Sequence, residues 1–509
     1  MDKYNAVIDM GSNSVRLVIY YEAEDGTMYE VDNMKSTIRL SSFLDSNNNI
    51  TEEGIERTLH ALIQFRQLCD GRRISHVTGV ATAAVRKAVN RDILLQRIVE
   101  TTGFRFRVLS GEEEAYYGYL AVVNTMRVHD CITLDIGGGS TEVVKISGRK
   151  LVKSHSFPFG AVTLTDQFFQ SEVPTEEEIE RLEQFLRTAF ASKPWLREKK
   201  YSLVGMGGTA RNLGKIHQKR TRYPFASVHY YEMRKYEVAS VFDSMKNLTP
   251  VQMQAVEGLS KERADIIVAG MLIIKVLLEF SRSERFIVSN KGLRDGVYIE
   301  SRLRKVGKPV IEDVVGYGVR DLMNQYKVNK SHAYHVEELC RDMFEQLRRE
   351  NLHPHGENEK ELLAAAALLH DIGRMISFRD AHQHTFYLLV HVLLPGLTHK
   401  QRLLTALLAS YKGTKKMQQL VAPYESMVTE ADLQMVEQLG LLLLMARALD
   451  RTESRQISRI SFVRSGDSLI LKCCGEDKLP LEMKTIEEHR KKFKKHYGIP
   501  LHIQWIYQS

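Results

Sequence analysis

Cys131-Ile-Thr-Leu-Asp-Ile-Gly-Gly-Gly-Ser-Thr-Glu142 reads as an apolar strand that runs into a carboxylate, three successive glycines, two hydroxyls and a second carboxylate. Glycines in a row let a backbone approach an anion closely and point its N–H groups into one concavity. Asp135 and Glu142 are placed to hold a divalent cation or a water beside that anion. A tight hairpin with glycine as filler accounts for Gly137, Gly138 and Gly139, but not for Asp135 or for Ser140 and its neighbours. The same outline stands at the N-terminus, where the strand Tyr4 to Ile8 leads into Asp9-Met-Gly-Ser-Asn-Ser14 and a second strand, Val15 to Tyr20. The chain therefore contains an internal duplication, two hairpins that each carry a carboxylate (Asp9, Asp135) and an anion-cradling turn (Ser12, Asn13, Ser14; Gly137 to Ser140). A strand follows each turn, which separates both from the Walker A loop and the dinucleotide fingerprint, since those open a helix.

Working outward, the strand His76 to Val80 meets a helix that puts Thr82 at its N-terminus and Arg86 one turn in, a place for a phosphate or for a capping threonine beside a surface arginine. Ser110-Gly-Glu-Glu-Glu-Ala115 follows another strand and opens a helix. Ser110 and Glu113 satisfy a capping box, so Glu113 has a structural reason to be acidic. Glu112 and Glu114 point to different sides of the first turn, and at most one of them can face a cleft. Beyond the central hairpin, a helix over Glu176 to Ala191 and a strand over Ser202 to Val204 precede Gly205-Met-Gly-Gly-Thr-Ala-Arg-Asn212, a glycine turn that opens a helix. Gly208 and Thr209 there make a second type of anion site, or else a close helix–strand packing. After Pro309 the pattern becomes mostly helical. That part contains His335, the adjacent pair His370-Asp371, a group of His382, His384 and His391, and Asp450, residue types that bind divalent metals. A Gly-Asp hairpin near Ser465, a basic helix over Glu487 to Tyr497 and a strand over Leu501 to Tyr507 close the chain.

The 509 residues, 43% hydrophobic and 26% charged, are those of an ordinary soluble multidomain protein. No apolar run is long enough to span a membrane; Lys275 and Glu279 interrupt the best candidate. The N-terminus passes into a strand without a signal-peptide region, which predicts a cytoplasmic location. Five unpatterned cysteines imply neither a disulfide framework nor a thiolate zinc site. The net charge of +8 favours a polyanionic partner: nucleic acid, an anionic lipid surface or a chain of phosphates. No nucleic-acid-binding signature accompanies it, so nucleic acid is not expected as a partner.

Taken together, Asp9-x-Gly-Ser-Asn-Ser14, Ser110 to Ala115, Asp135 to Glu142, Gly207-Gly-Thr209 and Leu293-Arg-Asp-Gly296 resemble, in order, the motifs of the exopolyphosphatase / guanosine pentaphosphate phosphohydrolase family. The resemblance implies an α/β chain with a duplicated actin-like ATPase (ribonuclease H-like) fold in two lobes, 1–121 and 122–303. A helical HD-like domain, 304–455, and a small α+β C-terminal domain, 456–509, would follow. It also implies that Glu114 is the base toward the attacking water. Asp135 and Glu142, with Asp9, would handle Mg²⁺ and the water. Asn13, Arg86, Gly138, Ser140 and Thr209 would contact phosphate, and His335, His370, Asp371 and Asp450 would fall on HD metal positions. The expected reaction is hydrolysis of the terminal phosphoanhydride of inorganic polyphosphate. Guanosine pentaphosphate is the alternative substrate, and a polyphosphate or nucleotide sensor is the alternative of another class. The family suggests a homodimer, with peripheral membrane association open.

Overall fold

The computed structural model describes residues 3–24, 28–303, 307–475 and 479–507. The chain divides into two compact units, Met1–Val314 and Val315–Ser509.

The first unit holds two sheets. One contains β1 (Lys3–Met10), β2 (Ser14–Glu22), β3 (Met28–Thr37), β4 (His76–Ala81) and β5 (Phe106–Val108), in the order β3-β2-β1-β4-β5. The other contains β6 (Cys131–Ile136), β7 (Thr141–Ser147), β8 (Lys150–Phe157), β9 (Ser202–Met206), β10 (Tyr231–Arg234) and β11 (Arg285–Val288), in the order β8-β7-β6-β9-β11-β10. In each sheet the first three strands pair antiparallel, and the central strand pairs parallel with the next, β1 with β4 and β6 with β9. The duplication read from the two hairpins thus extends to whole sheets, and the repeated order is that of the expected actin-like lobes.

Central position explains the sequence of β6. It is hydrogen-bonded on both sides and covered on both faces, so Cys131 to Leu134 are buried without alternation. The hairpin turns close alike: Gly11 N donates to Ser14 O at 3.0 Å, and Gly137 N to Ser140 O at 2.9 Å. The helix Gly111–Val123 carries the expected capping box, with Ser110 N donating to Glu113 Oε2 at 2.8 Å and Glu113 N to Ser110 Oγ at 3.1 Å. This reciprocal bonding fixes the first turn, turning Glu112 to solvent and burying Glu114. Against it packs the helix Leu293–Leu303, whose Gly296 meets the Tyr117 backbone so closely that a β-carbon there would overlap the Tyr117 carbonyl.

The apolar helix Ile267–Phe280 follows a 3₁₀ turn at Lys261–Arg263.

In the second unit, helices run from Lys330–Arg349 to Glu430–Leu449. A three-stranded sheet follows, built of β12 (Ile457–Ser465), β13 (Ser468–Gly475) and β14 (Leu501–Tyr507), in that order. The basic helix expected over Glu487 to Tyr497 starts at Arg490 and ends at Tyr497, while Glu487 closes a separate helix, Pro480–Glu487. Among the described residues no helix is long and apolar enough to cross a membrane.

Candidate active site

A cavity of about 620 Å³ lies where the two hairpin turns of the first unit face each other. Each turn has its carbonyls engaged by its own lobe. Ser41 N donates to Ser12 O at 3.1 Å and Arg39 N to Asn13 O at 2.9 Å; Ala161 N donates to Gly137 O and Val162 N to Gly138 O, both at 3.0 Å. A planar trans peptide points its C=O and the following N–H in opposite directions. The N–H groups of Asn13 and Gly138 therefore face away from that packing, and both residues line the cavity. Position 138 is crowded, since a β-carbon would stand 3.0 Å from Ser12 Cβ and 3.3 Å from Val162 Cγ2. The side-chain amide nitrogen of Asn13 is buried without an acceptor, an orphan donor suited to a phosphate oxygen.

Five carboxylates line this cavity: Asp9, Glu114, Asp135, Glu142 and Glu262. Glu114 is 8% exposed. Burial pushes its carboxyl up to about 7, the charges of Asp9 and Asp135 add to that, and an ion pair with Arg86 opposes it. Glu142 is held well above the usual carboxylate range by burial and then by Glu114 and Asp135, even though Ser156 Oγ donates to its Oε1 at 2.8 Å. Asp135 is raised by burial, and its Oδ1 would be 2.6 Å from a β-carbon at Gly207, which also has φ of 80°. The carboxylate and the left-handed backbone together require glycine there.

Basic side chains accompany these carboxylates. Arg16, Lys35, Arg211, Lys215, Arg263 and Arg294 line the cavity, and none of them was singled out from the sequence as a site residue. Arg294 Nη1 donates to Asp9 Oδ2 at 2.7 Å, so Asp9 is engaged by a guanidinium. Arg263 lies over Gly208, where a β-carbon would overlap its guanidinium. The 3₁₀ turn that carries it is tied to the helix Gly207–Arg220 by Asn212, whose amide donates to Gly208 O at 2.8 Å and accepts from Ser260 N at 2.7 Å. Burial pushes Arg211 down to about 10, with Arg294, Arg16 and Arg263 adding to the effect. Together these side chains concentrate positive charge that an anionic ligand would relieve.

Ser12, Ser14, Gly137, Ser140 and Gly208 also line the cavity. Arg86, Gly139 and Thr209 are not among its walls. Arg86 is turned to Glu114 and donates to Leu109 O at 2.7 Å. Gly139 packs near Ser12, and its carbonyl accepts from Lys87 Nζ at 3.3 Å. The Thr209 side chain is buried against Gly270. Arg211 lies within the quoted run Gly205 to Asn212 and Arg294 within Leu293 to Gly296, so motif membership was available as a signal for both. No such signal marks Arg263.

Residues 18–305 match the Ppx/GppA phosphatase family, and residues 316–490 match domain III of that family. The chain belongs to the Ppx/GppA phosphatase family. It is accordingly a hydrolase of phosphoanhydride bonds. Among solved structures, a Ppx/GppA family member from Aquifex aeolicus is 31% identical, with 60% of this chain and 99% of that one covered at a TM-score of 0.53. An exopolyphosphatase from Cytophaga hutchinsonii is 25% identical, with 59% and 98% covered at a TM-score of 0.54.

The second unit, where domain III matches, brings together His332, His370 and Asp371, with ligand atoms all within 4.8 Å of one another. Here the arrangement differs from the expected set, because His332 stands where His335 was expected. His335 Nε2 is 2.9 Å from Ile457 O. Asp450 serves as a hydrogen-bond acceptor: its Oδ2 is 2.6 Å from His332 Nδ1, and its Oδ1 accepts from Arg455 N at 2.7 Å. Of the other histidines singled out, His382 lies on the nearby cavity, while His391 Nδ1 is 2.7 Å from Tyr387 O.

Proposed function

We propose that this Ppx/GppA phosphatase is an exopolyphosphatase, which removes the terminal phosphate of inorganic polyphosphate by attack of a water that Glu114 activates. The observation that carries the reading is the lining of the cavity, which brings Asp9, Glu114, Asp135, Glu142 and Glu262 together with six arginines and lysines. Such a cavity suits a ligand that is anionic along its length and reactive at one end, and no apolar slot for a base is needed to explain it.

The terminal phosphoryl oxygens would be received by the N–H groups of Asn13 and Gly138 and by the Asn13 amide. Phosphoryl transfer depends mainly on positioning and charge stabilisation, which fixed backbone donors provide without reorganisation. Arg211, Arg263 and Lys215 would take the following phosphates. Glu114, raised to about 7, is matched to accept a proton near neutral pH. Water would attack phosphorus on the side opposite the bridging oxygen, its proton passing to Glu114 as the P–O bond to the shortened chain breaks.

Mg²⁺ fits the donor set. Asp135 and Glu142 are hard oxygen ligands, both destabilised as anions by burial, Asp135 further by Asp9 and Glu142 by Glu114 and Asp135, which a divalent cation would relieve. When bound, the ion would neutralise charge on the phosphoryl oxygens. Asp9, already engaged by Arg294, would act by orienting that arginine.

The test is product analysis by chain length with purified protein and Mg²⁺, polyphosphate and guanosine pentaphosphate being supplied at equal concentration. Orthophosphate from polyphosphate as the first and main product is expected. Preferential loss of the pentaphosphate would replace the substrate assignment, and binding without phosphate release would replace the enzymatic one.

A further inference from the structure

The two hairpin turns are duplicates, yet one peptide group in them is held differently. Gly11 N to Ser14 O and Gly137 N to Ser140 O close the turns alike, which aligns Ser12 with Gly138 and Asn13 with Gly139. Ser12 O and Gly138 O each accept from a backbone N–H, of Ser41 at 3.1 Å and of Val162 at 3.0 Å. Asn13 O accepts from the backbone N–H of Arg39 at 2.9 Å, within its own lobe. Its counterpart, Gly139 O, accepts from Lys87 Nζ at 3.3 Å, a side chain of the other lobe. We propose that Lys87 is a positioning residue, which reaches across from the first lobe and sets the Gly139–Ser140 peptide so that the Ser140 N–H is presented to the terminal phosphate. The inference rests on the reading of this cavity as the site of phosphoanhydride hydrolysis.

Lys87 ends the helix Ala83–Lys87, which follows β4, and its Nζ also donates to Pro158 O at 3.4 Å. One ammonium of the first lobe thus holds two carbonyls of the second. Both acceptors are neutral, and burial, then the charge of Arg86, lower the pKa of this lysine. Gly139 packs on the lobe that carries Lys87, for a β-carbon at 139 would stand 3.2 Å from Ser12 Oγ and 3.7 Å from Ala83 Cβ.

The carbonyl of a trans peptide and the N–H that follows it point in opposite directions, so a Gly139 carbonyl turned to Lys87 turns the Ser140 N–H the other way. Ser140 lines the cavity, whereas Lys87 is not among its walls, so the lysine acts through the turn and not by touching the ligand. Without the ammonium the Gly139 carbonyl loses this donor, and glycine offers little resistance to rotation of the peptide. A donor that has to reorganise stabilises a transition state less than one already fixed. The lobe that carries Asn13 therefore also readies the opposite turn.

The test compares the full chain with Lys87→Met, which keeps the length and removes the donor, and with Lys87→Arg, which keeps a cationic donor, on long polyphosphate with Mg²⁺. Losing one oxyanion donor outright costs about 10²- to 10³-fold in kcat, so misdirecting one through Lys87→Met should lower kcat by roughly tenfold or more. KM for the long chain should change by less than about twofold, since the groups that hold the chain are untouched. Lys87→Arg should recover most of the loss. A lysine that merely braced the surface would lower the melting temperature and leave kcat of the folded protein intact. Unaltered kcat in Lys87→Met, a loss confined to KM, or a loss that Lys87→Arg does not recover would overturn the assignment. Lys87→Gln, shorter and uncharged, takes the place of Lys87→Met if that variant does not fold. Guanosine pentaphosphate, run in parallel, separates this inference from the substrate reading. If only the pentaphosphate is hydrolysed, the polyphosphate reading fails, and the same split between kcat and KM, measured on the pentaphosphate, decides the role of Lys87.

Discussion

Two opposing pulls meet at Glu114. Arg86 stabilises its anion, while burial and the charges of Asp9 and Asp135 destabilise it, and the balance leaves the carboxyl near 7. Replacing it with glutamine keeps the shape and removes the proton acceptor, so Glu114→Gln should lower orthophosphate release by about 10²- to 10⁴-fold. Since the base must be ionised, kcat/KM in the unaltered protein should fall as pH drops through about 7, the inflection belonging to the coupled pair Glu114 and Glu142. Stability should move the other way. In the unfolded chain Glu114 ionises at its ordinary value of 4.5, while in the folded chain it keeps its proton up to about 7. The folded state therefore binds more protons within that window, and its stability falls as pH rises through it. Urea unfolding at pH 5 and pH 8 should show this slope, and Glu114→Gln should make it shallower; an unchanged slope would mean that the shift belongs elsewhere. Capping explained Glu113 in the sequence but could not choose between Glu112 and Glu114, a choice that the family resemblance made and that is matched by the burial of Glu114. The same limit applies to His332 and His335, three residues apart on one helix, where no local pattern says which ring meets His370.

At the scale of elements, Glu114 is only as well placed as its helix. Gly111–Val123 is fixed at its start by the capping box and along its length by Leu293–Leu303, which approaches closely because Gly296 has no side chain. Gly296→Ala should force the helices apart, costing about 1–3 kcal/mol by overpacking. Because the displaced helix carries the proposed base, kcat should fall while the KM for polyphosphate changes little. As a control, Gly71 ends the helix Glu52–Gly71 with open space at its β-carbon position, and Gly71→Ala should leave turnover unchanged. Thermal melts and steady-state kinetics on both variants decide the matter; a Gly296→Ala protein with unaltered kcat would separate this packing from catalysis. The central hairpins were legible because β1 and β6 are apolar strands flanked by glycine turns. Strands β3, β8 and β10 were not, since each lies at a sheet edge and part of its sequence is exposed and polar, with the neighbouring strand's ladder holding it in place.

For the molecule as a whole, the excess of positive charge was visible in composition, but its destination was not. Arg16, Arg211, Arg263 and Arg294 come from distant parts of the chain and reach one cavity only because two duplicated lobes face each other. Nothing in the neighbourhood of Arg263 marks it, since its place depends on Asn212 fastening its turn across a helix. If these cations take the phosphates behind the scissile bond, they contribute to binding the chain more than to the chemical step. The logarithm of KM for long polyphosphate should then rise linearly with the logarithm of salt concentration, as expected when counterions are released, while kcat stays nearly constant. Arg263→Gln should raise KM and reduce that slope by about one, the signature of one lost phosphate contact. The loops of Asn13 and Gly138 are untouched by the substitution, so kcat should be preserved. A slope that Arg263→Gln leaves unchanged would place the chain elsewhere on the protein, and a fall in kcat with KM unaltered would move Arg263 from holding the chain to the reacting phosphate itself.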